Sequence, residues 1–578
     1  MEVPARTGRV HVSVTRRHYK GKVYETHLLR RSYREGGKVK TETVGNISHL
    51  PRPIIELIRR SLAGEVTLGQ EALETQRSLA HGHVAAVLAV VQRLGLERLL
   101  DPQDSRQRRL VVGMVVARLV HPRSKLETTR WWKSTTLPSL LEVADADEDE
   151  LYSALDWLLE RQPRVEQGLA RRHLRDGSLV LYDLSSSYME GKRCPLAKFG
   201  YSRDRKRGKR QVEYGLLADG EGRPVAIEVY PGNTGDPATV EAQVEKLQRR
   251  FHLRQVLLVG DRGMLTQTRV QTLREQGVGW ITALRSPQIR KLVESGSLQL
   301  GLFDERNLAE IEDPEYPGER LVVCRNPLLA KERAQKREAL LAATETDLQS
   351  LVARVNRGEL QASGEIGVAV GRVINRHKVG KHFQLEIGEG RLQVQRRQAQ
   401  IAAEAQLDGI YVLRTSLGSD TLATADVVRS YKRLTKVERD FRALKTFNLQ
   451  LRPIRHWNPD RVRAHIFLCM LALYVRWHLE QMLAPLLFRD PQPPELEDPV
   501  LPRQRSPEAL RKAHTQHQLD GTEVHSLASL LDHLGSLNRT LVLPHGAPAD
   551  AAFTLPARLT PLQEQALSCL GLNPARIR

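Results

Sequence analysis

Three acidic residues, far apart in the chain, stand where an acid is costly unless something binds it. Asp183 closes an apolar stretch in YDLSSSYME, and Asp261 closes another in LLVGDRG. An acid finishing an apolar strand must be solvated, hydrogen-bonded or metal-bound. Glu438 falls in step with Val427, Tyr431, Leu434, Phe441 and Leu444, an apolar stripe expected on one long helix from about Thr424 to Phe447. A carboxylate in the middle of a buried face calls for a cation, and Lys445, two turns further on the same face, adds a positive charge nearby. Such a trio suits two-metal phosphodiester displacement, in which carboxylates hold two Mg²⁺ or Mn²⁺ ions about 3.5–4 Å apart. One ion activates water or a 3′-hydroxyl, and the other stabilises the leaving oxygen. Hard oxygen ligands match those ions, with substrate phosphates completing the coordination.

Plainer readings stay open. Asp183 and Asp261 could be ordinary strand-end caps, and Glu438 could form a structural ion pair with Lys445 or Arg442. Asp219 reads as a turn residue and Asp236 as a helix cap. Glu190, Glu213 and Glu228 could be accessory ligands, although surface or edge positions explain them more simply.

Cations accompany these acids. From Lys192 to Arg210 there are nine Lys or Arg and one Asp, with Phe199 and Tyr201 among them. A charge run is usually a solvated face, but this one directly follows Asp183. Arg205, Lys206, Arg207, Lys209 and Arg210 are therefore expected to grip phosphates near the scissile bond, on a loop that is mobile without DNA and kept supple by Gly200 and Gly208. A second run, from Arg16 to Lys40, holds nine Lys or Arg and two Glu, with Tyr19, Tyr24 and Tyr33 interleaved. It reads equally as a DNA-contacting sheet and as an edge guarded by charge.

The whole chain has the same bias. Its 578 residues carry 88 Lys plus Arg against 68 Asp plus Glu, a formal charge of +20 and a pI near 9.9. Such an excess favours a polyanionic partner, because neutralising phosphates releases counterions. Cys194, Cys324, Cys469 and Cys569 form no CxxC pair, which argues against a zinc site or a disulfide framework and fits a reducing cytoplasm. The first residues lack the apolar core of a secretory signal, the longest apolar run (Ile466 to Val475) is too short to span a bilayer, and no GxxxxGK motif marks a phosphate-binding loop.

The elements that must position the acids can be read by period. Residues 1–50 form a basic β-rich segment with a turn at Glu35-Gly36-Gly37. Residues 51–176 read as helical, with the Trp131-Trp132 pair in the core; they are the expected place of a DNA-binding domain, although they carry no specific helix-turn-helix signature. Residues 177–285 run strand, hairpin, helix, strand, helix, strand, with Gly220-Glu221-Gly222 at the hairpin, and imply a mixed sheet covered by helices. Residues 286–420 read as a β-rich insertion, with strands near Glu365–Ile374, His382–Ile387, Leu392–Val394 and Gly409–Leu413 and a charged helix from about Lys331 to Val355. Residues 421–485 return to the core with Glu438, and residues 486–578 form a helical C-terminal region. The fold class is thus multidomain α/β.

With these pieces in place, the sequence resembles bacterial insertion-sequence transposases of the DDE class, which have a ribonuclease H-like core. The resemblance rests on YDLSSSYME, the PGNTGD stretch (Pro231 to Asp236), LLVGDRGM and YKRLTKVERDFRALK, with LRPIRHWNPDRVRAHIFLCMLAL continuing the last. Tyr431, Glu438 and Lys445 stand at the spacing of the Tyr-Arg-Glu-Lys signature of one group of these enzymes, which also carries a β-rich insertion before the Glu. Leu434 occupies the place of the signature arginine, so Arg433 or Arg439 takes over its phosphate contact. The resemblance implies binding to transposon inverted repeats, metal-dependent hydrolysis to 3′-hydroxyl ends, and strand transfer into target DNA, with Asp183, Asp261 and Glu438 as catalytic metal ligands and Tyr431 and Lys445 positioning phosphates. It further implies a homodimer or higher oligomer on double-stranded DNA, in the bacterial cytoplasm at the nucleoid, with no membrane partner. A catalytically silent DNA-binding descendant and a nuclease that cuts without joining are the alternatives.

Overall fold

The computed structural model describes residues 9–19, 22–35, 38–64, 73–299, 301, 303, 307–446 and 448–574. The turn glycines Gly36 and Gly37, and Phe447 at the expected helix end, lie outside them. At the N-terminus, β1 (Arg9–Tyr19), β2 (Lys22–Glu35) and β3 (Lys38–Asn46) form an antiparallel sheet in sequential order. Their cations are partly paired across strands, Arg16 with Glu25 at 2.8 Å and Arg31 with Glu42 at 3.2 Å.

After the helix Arg52–Ala63 comes β4 (Leu73–Ala80), followed by a series of helices, among them Gly82–Arg93, Arg106–Val120 and Glu148–His173. The last is started by a capping box between Asp147 and Glu150. These helices do not stand apart as a separate domain. Leu110 to Leu119 are buried on every side, and Glu148–His173 packs on the central sheet and on the buried helix Pro459–Met482. They form the support of the sheet that holds the acids. Trp132 is buried as expected, and Trp131 stacks on His121.

That sheet begins with β5 (Ser178–Tyr188), β6 (Gln211–Asp219), β7 (Pro224–Pro231), β8 (Val256–Gly260) and β9 (Gly279–Ala283). Their order is β7-β6-β5-β8-β9. The hairpin strands pair antiparallel, and β5, β8 and β9 run parallel. This is the ribonuclease H-like arrangement, with helices covering the sheet.

The insertion departs from expectation. Of its strands β10 (Leu308–Ile311), β11 (Arg320–Arg325), β12 (Phe383–Gly388), β13 (Arg391–Arg396) and β14 (Ile410–Thr415), three extend the central sheet in the order β9-β14-β11-β10. What projects is a lobe in which the helices Pro327–Asn356 and Ser363–His377 close over the β12–β13 hairpin, with its own core including Leu341, Leu348, Ile366 and Phe383. The strand expected at Glu365–Ile374 is therefore helix. Its β-branched residues imitate a strand, but Ile366, Val370 and Val373 are buried at helical spacing.

The single helix expected from Thr424 is two, Thr424–Lys432 and Leu434–Lys445. The Thr435 hydroxyl donates to the Lys432 carbonyl at 2.8 Å, drawing on an oxygen that a continuous helix would use. The C-terminal region is not purely helical either. It contributes β15 (Asn538–Pro544) and β16 (Phe553–Leu555), and β15 pairs antiparallel with β4 from the other end of the chain.

Candidate active site

Asp183 and Asp261 are brought together by strand register. On the parallel pair β5–β8, Tyr182 lies opposite Gly260. The next residue of each segment is the acid, so the two side chains leave neighbouring backbone segments, whose strands lie about 4.8 Å apart. Each is steadied by a backbone N–H: Leu184 donates to Asp183 Oδ1 and Arg262 to Asp261 Oδ1, both at 2.8 Å. The helix Leu434–Lys445 packs on β5, its Phe441 ring edge-on to Tyr214 at 5.8 Å.

Glu438 does not lie on the buried stripe. Leu434, Val437, Phe441 and Leu444 make up that stripe, and Glu438 is exposed beside it. Both 437 and 438 fit helical spacing from Leu434, and the apolar residue takes the inner place. Glu438 thus stands beside the stripe, within electrostatic reach of Asp183. The Asp183 carboxyl is pushed up to about 7, by burial first and then by Asp261 and Glu438, against the Leu184 N–H and Arg203. The Tyr431 hydroxyl is likewise held above its usual range, by burial and then by Asp261, Asp183 and Glu438, with Arg262 opposing. Among the described residues neither Asp261 nor Glu438 has an ion-pair partner, so the ion pairs considered for Glu438 with Lys445 or Arg442 do not form. Three carboxylates that burden one another and lack a cation form a donor set suited to a hard divalent ion. Among the described residues, no three His, Cys, Asp or Glu side chains stand close enough to hold one ion as they are. To share an ion, these carboxylates must draw together.

The loop from Lys192 to Arg210 is tied to its surroundings at several points. Asp204, its one acid, has a side chain only 1% exposed; it pairs with Lys445 at 3.1 Å and with Arg452, and accepts from the Tyr188 N–H at 3.0 Å. Arg203 reaches Asp236 at 2.6 Å and Glu213 at 3.5 Å. Gly200 is not a flexible spacer: a Cβ there would sit 2.1 Å from the Gly232 carbonyl oxygen. The loop thus interlocks with PGNTGD, and Gln211 donates to both Tyr201 and Gly232 carbonyls at 2.9 Å. At the tip Arg205, Lys206, Arg207 and Lys209 are exposed, as are Lys192, Arg193, Lys198, Phe199 and Tyr201 earlier in the loop, while Arg210 lies over Phe199 and donates to the Lys192 carbonyl.

Several residues land elsewhere than expected. Lys445 is committed to Asp204, and burial pushes its ammonium below the usual range against that pairing. Arg433 leans on the β6–β7 turn, 3.4 Å from the Gly220 carbonyl and 3.5 Å from Glu221. Arg439 is exposed near Arg489. Glu213 is buried, not at the surface, and its carboxyl is pushed up to about 7 by burial, with Arg203 opposing. Glu228 pairs with Lys246 at 2.9 Å and Glu190 with Arg455 at 3.2 Å. Asp219 is the turn residue expected, accepting from the Glu221 and Arg223 N–H groups. Asp236 is the first residue of its helix rather than the cap, which is Gly235. Sequence reasoning missed Arg203 and Asp204. Their one signal was a lone acid inside a run of cations.

Residues 175–475 match the family model described as Transposase DDE domain. Residues 12–76 match that of the IS1634 family transposase, N-terminal domain. Among solved structures the chain is similar to the piggyBac transposase in a cryo-EM synaptic complex with hairpin DNA, at 9% identity and a TM-score of 0.34, covering 78% of this chain and 76% of that one. No curated protein matches the chain.

Proposed function

The chain belongs to the family of transposases with the DDE domain, a metal-dependent DNA-cleaving and DNA-joining enzyme of an insertion sequence, and from that premise we propose that Asp183, Asp261 and Glu438 are its catalytic carboxylates. The observation that supports this is their placement: two acids leave adjacent parallel strands and a third lies on the helix packed over them, with Asp261 and Glu438 both adding to the upward push that burial gives the Asp183 carboxyl. Two divalent ions, Mg²⁺ or Mn²⁺, held by these oxygens would polarise the attacking and leaving oxygens of a phosphodiester. Asp183 and Asp261, each fixed by a backbone N–H, leave their second oxygens free for that task. The Tyr431 hydroxyl stays protonated and can donate to a phosphate oxygen beside them. The exposed tip from Arg205 to Lys209 meets the DNA backbone. Lys445 acts through Asp204, fixing the loop that carries the tip.

The substrate is the inverted repeat at each transposon end, and two copies of the chain bring paired ends together. Among the described residues no helix is long and apolar enough to cross a membrane. The test is a donor duplex carrying the repeats that flank the gene, incubated with Mg²⁺ and a target plasmid and resolved on a sequencing gel. Freed 3′-hydroxyl ends followed by joined products are expected. Cut ends that never join would replace the transposase with a nuclease, and binding without cutting would make the chain a silent descendant.

A further inference from the structure

At the start of β5, a cleft of about 520 Å³ opens between the end of the helix Glu148–His173 and the β6–β7 turn. Five arginines line it, Arg171, Arg172, Arg175, Arg223 and Arg433, against two carboxylates, Asp219 and Glu221. Those acids are already engaged, Asp219 by Arg223 at 2.7 Å and Glu221 by Arg433 at 3.5 Å. Arg172 donates to the Leu94 carbonyl at 2.7 Å. Arg171 and Arg175 are exposed and, among the described residues, have no carboxylate partner. The surplus is felt by the ring beside it: His173, bonded to the Tyr474 hydroxyl at 3.0 Å, is pushed down to about 4 by burial and then by Arg223 and Arg172.

Cations in the last turn of a helix can serve simply to offset its dipole. That accounts for Arg171 and Arg172. It does not account for Arg175, which lies beyond the helix, nor for Arg223 and Arg433, which come from the β6–β7 turn and from the residue before the Glu438 helix. Guanidiniums from three elements converge on one concavity; Asp219 and Glu221 answer Arg223 and Arg433, while Arg171, Arg172 and Arg175 have no carboxylate partner among the described residues, and that surplus fits an anion from outside. Their planar fork suits phosphate oxygens.

We propose that this cleft grips the phosphodiester backbone of duplex DNA next to the segment held at the acids, an inference that rests on the transposase reading. Leu179, in the cleft, and Asp183 are four residues apart on β5, about 13 Å at the rise of a strand. That span equals about four base steps along one DNA strand. The cleft is therefore a second phosphate-binding place on the same duplex, displaced from the scissile bond.

The experiment uses the full chain and a random-sequence duplex, with binding followed over a range of salt. The double variant Arg171→Ala/Arg175→Ala removes side chains without internal partners, and an unchanged thermal melt verifies the fold. Weaker binding is expected, with the plot of log affinity against log salt flatter by about 0.9 for each phosphate no longer neutralised. The charge-conserving pair Arg171→Lys/Arg175→Lys should keep most of that slope. An alanine variant with wild-type affinity and slope overturns the proposal. So does calorimetric binding of inorganic phosphate that the alanine variant loses while its DNA slope stays the same, since the cleft would then serve a free anion. If the wild-type chain binds no duplex at all, the transposase reading itself falls, which distinguishes that failure from failure of the cleft alone.

Discussion

Asp204 and Asp261 are acids of the same core, and the structure treats them in opposite ways. Asp204 lies in the seam between the basic loop and the end of the Glu438 helix, its charge answered by Lys445, Arg452 and the Tyr188 N–H. Asp261, at the mouth of the sheet, is exposed and accepts one backbone N–H. A neutralised acid is scaffold. An acid with its charge unanswered awaits a ligand. Residue type says nothing of this difference; what matters is which cations the fold brings within reach.

The contrast is tested hardest at Asp261. Asp261→Asn removes a charge with little change in volume. Cleavage of a cognate end should fall to background, while the melting temperature and affinity for that end stay at wild-type values. If binding is lost in proportion to cleavage, Asp261 belongs with Asp204 as a structural acid. The next largest effect is expected at Asp204→Ala. It strands Lys445 and Arg452 in a partly buried seam, and breaking such a pair costs about 3–5 kcal/mol. Chemical denaturation should show that loss directly. Were stability unchanged and cleavage abolished, Asp204 would have to move to the catalytic group.

Asp183 stands between the two, half-buried beside the acids it joins. Its carboxyl, pushed up to about 7 in the fold, ionises near 4 in the unfolded chain, at roughly the reference value for Asp. Between those values the folded protein binds the extra proton, so metal-free stability falls as pH rises through that window. Asp183→Asn removes this fall. In EDTA the variant should melt higher than wild type by a margin that grows from pH 5 to pH 7 and then levels off. Glu213, pushed up to a similar value, is present in both proteins, so the difference isolates Asp183. A margin that stays constant with pH would mean that neither burial nor the neighbouring acids raise the Asp183 carboxyl in the fold.

How much of this was legible in the sequence depends on the range of each signal. β5 to β9 could be read because alternation, the Gly220-Glu221-Gly222 turn and the Asp236-Pro237 helix start are local. Asp183 and Asp261 could be singled out because each closes an apolar stretch, but only Asp261 stands at a strand end; β5 runs past Asp183 to Tyr188. Glu438 was found with the wrong burial, since helical spacing from Leu434 admits both Val437 and Glu438. The pairing of β4 with β15 joins opposite ends of the chain, and neither strand announces its partner. Asp204 has the same difficulty, because one of its cations, Arg452, is 248 residues away. The nine cations of the loop also looked alike. Only the fold separates Arg203, bound to Asp236, from the exposed tip.

That separation yields the smallest predicted effect and a sharp check on the contrast. Arg205, Lys206 and Arg207 are exposed. Arg205 adopts a left-handed backbone at φ 56, and Lys206 lies 5.9 Å from the Tyr188 ring centre. Among the described residues none of the three pairs with an acid. Replacing all three with Ala should therefore leave stability within about 0.5 kcal/mol of wild type, as surface changes usually do. Binding should weaken on cognate and random duplex alike, because phosphates carry no sequence. The salt plot should flatten by about 0.9 for every phosphate set free. Arg203→Ala, two residues before Arg205, should do the reverse: it strands the buried Glu213 and lowers stability, with little change in slope. If the two variants behave alike, the division between neutralised and available charges does not hold within this loop. If the triple variant keeps its full slope, the tip is a solvated surface and the DNA backbone is gripped elsewhere.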